Sequence, residues 1–336
     1  MLKPSSRFSR LSSTKMIYYF VVVLCITVVL TWDNDLMVFF DHLVRRLLGL
    51  RGHLIPEISN SDLAAALCSA RRKVLYGVFS TAKKIRTRNV LRIHDKPCDL
   101  NGDQHRTIFV VGKPKSMDEY NVIQHESQLH KDIFVLSCDE NMNYGKSYFF
   151  FKEAYDQLPC FDYYAKVDDD TAFVPVSIMR TLPDDASGKL LFLGRRSRNI
   201  DIMYWYMYVL KCIQWGFMDM SWIRNFKDYT AGMLYILNNN AVKSWMALGS
   251  VDLYGDEDYR TTYYMSKIGA DFFNYSTMFH DYHKYRGDIV QGDWKRNITN
   301  ESLAIHQCKS FFDLSSALNE LCSVHADHDT NKKKNK

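Results

Sequence analysis

The chain lacks several of the patterns that would fix its chemistry at once. Its eight cysteines form no C-x-x-C pair, which argues against a structural zinc site. There is no G-x-G-x-x-G and no G-x-x-x-x-G-K-[ST], so neither a dinucleotide cradle nor a P-loop is expected. No internal repeat is evident. No folded basic face interleaved with aromatics stands out, and the net charge of +5 is mild and gathered at the two ends, which speaks against a nucleic-acid partner. No acid precedes Asp33, whereas Lys3, Arg7, Arg10 and Lys15 all do.

After that basic start comes an uncharged, mostly apolar run, Met16 to Trp32. Its length lies at the lower limit for a membrane-spanning helix, and Asp33 and Asp35 come directly after it. The positive-inside rule therefore predicts a cytosolic tail over 1–15, a signal-anchor over 16–32 and the remainder across the membrane. Seven cysteines lie beyond the run, which agrees with an oxidising lumen, as do the N-x-[ST] sequons at Asn274, Asn297 and Asn300. Residues 33–70 read as a stem, 71–325 as one globular domain and 326–336 as a disordered basic tail.

The domain alternates strand and helix. Val74–Ser80, Thr107–Gly112, Asp132–Ser137 and Phe161–Val167 read as strands, with helical segments between them and a helix over Gly145–Leu158. This order predicts an α/β fold with a mixed, mainly parallel sheet flanked by helices. The fourth strand runs into Asp168, Asp169 and Asp170. Ligands of open α/β sheets bind beyond the carboxyl ends of strands. Asp168 and Asp170 stand two apart and point the same way if the extended backbone persists. Converging carboxylates repel unless a cation lies between them, and a hard divalent ion, Mn²⁺ or Mg²⁺ bridging to phosphates, suits an oxygen-rich set. Asp170 and His280 are the candidate metal ligands. A second acidic cluster, Gly255-Asp-Glu-Asp-Tyr259, opens a later helix. Asp258 or Glu257 there could serve as a general base, or either could simply cap the helix.

These pieces, taken in order, resemble glycosyltransferase family 31, the β1,3-galactosyltransferase, β1,3-N-acetylglucosaminyltransferase and Fringe group. The resemblance rests on Val74-Leu-Tyr-Gly-Val-Phe-Ser-Thr81 with Arg88-Asn-Val-Leu-Arg92, Ile108-Phe-Val-Val-Gly112 and Glu126 through Val135. It continues through Glu140-Asn-Met-Asn-Tyr-Gly-Lys-Ser147, Lys166-Val-Asp-Asp-Asp-Thr-Ala-Phe173, Tyr229-Thr-Ala-Gly232, Glu257-Asp258 and Phe279-His280-Asp281. It implies a GT-A-type (Rossmann-like) fold, a UDP-sugar donor, Mn²⁺ as cofactor, and inverting transfer of a hexose or N-acetylhexosamine to a glycan hydroxyl in β1,3 linkage. By position, Arg88, Lys166, Asp168 and Asp169 would build the donor site. Asp170 and His280 would hold the metal, and Asp258 would be the base. Glu257, Tyr229 and Gly232 would lie beside it toward the acceptor.

The expected setting is a single-pass type II protein of the Golgi membrane (or endoplasmic reticulum), acting on a glycoprotein or glycolipid glycan, as a homodimer or within a transferase complex. Two glycines of the family pattern are missing, replaced by Leu234 and Thr262. They motivate an alternative, a catalytically silent lumenal chaperone or partner subunit of another glycosyltransferase.

Overall fold

The structure, a computed structural model, describes residues 55–68, 72–95, 105–141, 144–183, 188–197, 229–249, 251, 257–282 and 298–334. The predicted span Met16–Trp32, residues 202–222, which are rich in aromatics and methionine, and Asn297 lie outside them. Among the described residues no helix is long and apolar enough to cross a membrane.

Residues from Ile55 onward form one compact unit. A short helix, α1 (Ser61–Leu67), precedes β1 (Arg72–Phe79) and α2 (Ile85–Asp95). Then come β2 (His105–Lys113), α3 (Met117–His130), β3 (Ile133–Asp139), α4 (Lys146–Gln157) and β4 (Phe161–Asp168). The second half holds β5 (Ala172–Phe173), α5 (Pro175–Thr181), β6 (Leu191–Ser197), β7 (Tyr229–Asn238), α6 (Asn239–Met246) and α7 (Glu257–Lys267). It closes with β8 (Asp271–Asn274), β9 (Phe279–Asp281), β10 (Ala304–His306) and α8 (Phe311–Lys334).

The main sheet has the order β3-β2-β1-β4-β7-β6-β8. The strands from β3 to β4 pair in parallel, β7 is antiparallel to β4 and to β6, and β6 and β8 are parallel. The mixed sheet flanked by helices agrees with the sequence reading. Side chains alternate between its faces, as strand geometry requires. Tyr76, Val78, Phe109, Val111, Tyr163, Ala165 and Val167 fill one core. Leu75, Phe79, Ile108, Val110, Tyr164 and Tyr235 fill the other, with Phe150, Phe151 and Trp245 from the helices. Near-continuous apolar strands follow from burial on both faces.

The ends of the domain differ from the sequence reading. The stretch assigned to the stem is partly built into the fold: Leu63 and Leu67 are buried, and Cys68 is disulfide-bonded to Cys160. Asn60 exchanges hydrogen bonds with the backbone of Val135 on β3, satisfying groups that an edge strand leaves open. At the other end α8 continues to Lys334, through residues 326–334 that composition assigns to a disordered tail. The helix starts with reciprocal Ser310–Asp313 capping bonds and buries Leu314, Ala317, Leu318 and Leu321.

At Gly77 in β1 a Cβ would lie 2.3 Å from Cζ of the fully buried Phe150. The glycine is thus required by close packing of α4 on the sheet. Gly77→Ala should destabilise by about 1–3 kcal/mol through overpacking. Adding Phe150→Leu should recover most of that loss, both read from the denaturant midpoint of unfolding.

Candidate active site

β4 delivers Lys166 and Asp168 to the same face, and the chain then turns sharply: Thr171 N donates to Asp168 O at 3.1 Å. Thr171 Oγ1 donates to Met233 O on β7 at 3.2 Å, which ties the acidic turn to the neighbouring strand. β5 comes at once and forms a small sheet with β10 and β9, antiparallel to β10. Cys308 N donates to Asp170 O at 2.9 Å. The end of β10 is thereby held over the acidic turn, although nearly 140 residues separate them in the chain.

Lys166 is the centre of the site. Its side chain is 1% exposed, and Nζ lies 2.9 Å from Asp168 Oδ1, 2.9 Å from Asp258 Oδ1, 3.1 Å from Glu257 Oε1 and 3.0 Å from the Gly232 carbonyl. Nζ also stands 5.4 Å from the centroids of the Phe79 and Tyr235 rings. Burial by itself would favour loss of the proton, but the charges of Asp168, Asp258 and Glu257 hold the lysine well above its ordinary range. The sequence assigns Lys166 to the donor pocket; the structure turns it inward, onto the carboxylates.

Gly232 explains how Asp258 comes so close. A Cβ there would stand 1.8 Å from Asp258 Oδ2, so only glycine leaves room for the carboxylate against β7. Glu257 is more deeply buried than Asp258 and accepts from Ser147 Oγ at 2.9 Å. Burial raises its pKa, with the Lys166 charge opposing. The Tyr235 hydroxyl joins the same network through Ser147 and Thr261. Both acids occupy the first turn of α7, where the helix dipole favours negative charge.

On the other side of Asp168, Asp170 and His306 complete a set of ligand atoms lying within 4.8 Å of one another. His306 Nε2 is 3.3 Å from Asp170 Oδ1 and 3.8 Å from Asp168 Oδ2. Its Nδ1 is 3.6 Å from Asp281 Oδ1, and Arg195 Nη1 binds Asp281 Oδ2 at 2.8 Å. Lys309 pairs with Asp170 Oδ2. Burial would lower the His306 pKa, yet hydrogen bonds to Asp170 and Asp281 push it up to about 9. Burial would raise Asp170, but His306 and Lys309 hold it well below the usual carboxylate range.

The structure does not bring His280 to Asp170. His280 Nε2 contacts Ser302 Oγ at 2.8 Å. β9 and β10 run parallel with Ile305 opposite His280 and His306 opposite Asp281. Alternation along β9 therefore puts His280 on the face away from His306 and Asp281. Sequence reasoning missed His306. Its available signal was a short apolar run, Leu303-Ala-Ile, ending in an imidazole, the pattern by which β4 ends in Asp168.

Arg88 also differs from the sequence reading. It is fully buried and donates to both Glu126 oxygens, Ser80 Oγ and the carbonyls of Thr81 and Ala82, which uses every guanidinium N–H. It shapes the loop after β1 and presents nothing to a ligand. Lys84, from that loop, reaches Asp169 Oδ1 at 2.6 Å. Asp169 is 6% exposed, and its Oδ2 is buried with no hydrogen-bond partner among the described residues. Burial raises its pKa, with the Lys84 hydrogen bond opposing. Tyr229 opens β7, paired with Ser197. Asn274 and Asn300 are both exposed.

A galactosyltransferase family model matches residues 86–273, and the chain belongs to that family, of the glycosyltransferase family 31 type. The chain is 31% identical over 115 residues to the beta-1,3-galactosyltransferase pvg3 of Schizosaccharomyces pombe, a match spanning 32% of this chain and 30% of that protein. Among solved structures it is similar to the WbbM bifunctional glycosyltransferase (9% identity, 74% of this chain and 50% of that chain, TM-score 0.43). It is also similar to galactosyltransferase LgtC in complex with donor and acceptor sugar analogues (10% identity, 75% of this chain and 95% of that chain, TM-score 0.39).

Removing the buried ammonium leaves three carboxylates facing one another. Lys166→Met should cost about 3–5 kcal/mol of stability, the usual penalty for leaving a buried charge without its partner. Neutralising the survivors with Glu257→Gln and Asp258→Asn in the Lys166→Met background should regain a large part of it, read by denaturant unfolding.

Proposed function

We propose that the chain is a GT-A-type, inverting glycosyltransferase that moves a hexose or N-acetylhexosamine from a UDP-sugar to a glycan hydroxyl, in β1,3 linkage, with Asp258 as base. The observation that carries this reading is the junction at Lys166, where one buried ammonium binds both a carboxylate fit to act as base and a member of a metal-ligand set. Family membership supports the reaction class.

Asp168, Asp170 and His306 fit a divalent ion such as Mn²⁺. Two carboxylates and one imidazole make a hard, N/O-type donor set, and the geometry within 4.8 Å suits one ion. Asp281 beyond His306 is placed to orient the imidazole, as partners of ligating histidines do. When bound, the ion supplies positive charge to the departing diphosphate.

The chain's own groups would do the rest. An acceptor hydroxyl attacks the anomeric carbon and forms the new C–O bond. Its proton passes to the Asp258 carboxylate, the carbon–oxygen bond to UDP breaks, and the electron pair stays on the diphosphate. Asp258 is 20% exposed against 9% for Glu257, so Asp258 is the more accessible base, with Glu257 and Ser147 holding its helix turn in place. Gly232 sets the depth of Asp258. Oδ2 of Asp169, buried and unpartnered among the described residues, is positioned to accept from a donor hydroxyl, with Lys84 fixing the carboxylate.

The basic-then-apolar amino terminus supports a type II anchor in the Golgi membrane, with the domain lumenal and Asn274, Asn297 and Asn300 available for glycosylation.

The test is UDP release by the full-length chain in detergent from UDP-galactose, UDP-N-acetylglucosamine, UDP-N-acetylgalactosamine and UDP-glucose, with Mn²⁺ or chelator. We expect metal-dependent release from one donor. Asp170→Ala should abolish it, and Asp258→Asn should lower kcat by about 10²–10⁴-fold, the usual worth of a general base. Full activity in the Asp258→Asn protein refutes the base. A folded wild-type protein that neither releases nor binds UDP belongs to the silent-partner class instead.

A further inference from the structure

We propose that Lys309 is a diphosphate-binding residue that leaves Asp170 when the metal site is filled and then neutralises the departing nucleoside diphosphate. The proposal rests on the transferase reading above. It starts from a charge imbalance. Among the described residues Lys309 and His306 are the cations paired with Asp170. A divalent ion seated among Asp168, Asp170 and His306 takes over the neutralisation of those carboxylates. It also repels an ammonium held on the same Asp170 carboxylate.

The backbone is built so that this exchange moves the lysine tip and leaves its root in place. Cys308 N is pinned to Asp170 O at 2.9 Å, and Lys309 N donates to Gln307 O at 2.9 Å. Gln307 takes a left-handed φ of 64°, which turns the chain back at the end of β10. Directly after, Ser310 and Asp313 cap α8 through reciprocal bonds of 3.1 Å each. Lys309 is thus rooted between two fixed elements while its side chain is 58% exposed.

Three other cations near the site, among the described residues, have different duties. Lys166 is enclosed by Asp168, Glu257 and Asp258; Lys84 is paired with Asp169, and Arg195 with Asp281. Asp169 and Asp281 lie outside the metal set, and Lys166 keeps Glu257 and Asp258 whatever happens at Asp168. Lys309 alone among these four pairs with Asp170, the carboxylate shared by His306 and the candidate metal position. When the bond from the anomeric carbon to the diphosphate oxygen breaks, the electron pair and its charge remain on that oxygen. A flexible ammonium rooted beside the metal ligands is suited to meet it.

Two equilibrium titrations of the full-length chain separate this role from a structural one. The first is Mn²⁺ alone, and the second is UDP at saturating Mn²⁺, each for wild type, Lys309→Gln and Lys309→Arg. Lys309→Gln should bind Mn²⁺ at least as tightly as wild type, because a competing cation is gone, and should bind UDP roughly tenfold more weakly. Lys309→Arg should bind UDP close to wild type. UDP affinity unchanged in Lys309→Gln overturns the role of Lys309 and leaves the transferase reading standing. Loss of Mn²⁺ and UDP binding together in Lys309→Gln makes the residue structural and overturns the proposal. A wild-type chain that binds Mn²⁺ but no UDP overturns both readings.

Discussion

A single ammonium, Nζ of Lys166, is the constraint on which the site depends. Three carboxylates and a carbonyl converge on it within 3.1 Å, at the end of a strand buried on both faces. Desolvating a charge this completely is costly, and the cost is offset only because three different pieces of the fold bring its four partners together. Asp168 is held by the turn after β4, Gly232 by β7, and Glu257 and Asp258 by the first turn of α7. The phenyl and phenol rings of Phe79 and Tyr235 wall the ammonium from water. Shifting β7, or rotating α7 by a fraction of a turn, would leave a charge unpaired in the interior. Register across β4 and β7, where Lys166 faces Tyr235, is therefore fixed by electrostatics as well as by apolar burial.

Much of this is legible in the amino-acid sequence. Strand-like runs separated by helical segments signal the sheet, and the acidic triplet at the close of β4 signals its working edge. The sequence points to a histidine that the fold turns away from Asp170, for a reason that lies in parity. It shows that His280 sits in a strand-like stretch, but not which strand that stretch pairs with, and a parallel pair such as β9 and β10 brings its members together from distant segments. Opposite His280 stands Ile305, and opposite Asp281 stands His306. One residue of register decides which imidazole reaches the carboxylates, and no local pattern encodes that register.

Arg88 illustrates a different limit. Its spacing with Arg92 is legible, and so is Glu126, yet its role is not. A fully buried arginine whose N–H groups all find acceptors is an architectural group. Glu126 receives both Arg88 and Arg92, and Arg92 goes on to Asp132, so α2, α3 and the start of β3 are joined through one ionic chain. Both arginines and burial lie behind the Glu126 titration: burial would raise its pKa, and the two guanidinium groups lower it. Motifs record that a charged pair is required; only burial shows whether it faces a ligand or the core.

The two positions at which a glycine of the family pattern is lost bear on whether the site is a working one. Leu234, in place of a glycine, is fully buried in the core, opposite Val167 of β4. Thr262, in place of another glycine, donates through Oγ1 to Asp258 O at 2.9 Å and accepts from Thr230 N at 3.1 Å. The first substitution adds apolar packing between β7 and β4, and the second ties β7 to the helix turn that carries Asp258. The glycine whose absence would be fatal, Gly232, is present, and the space it leaves is filled by the Asp258 carboxylate. A protein with no use for a base would have no physical need to keep that space open. An aspartate pressed against a bare backbone, beside a buried lysine, is an arrangement with desolvation against it. Its presence fits a chain in which Asp258 acts on a substrate better than one in which the acidic site is a relic.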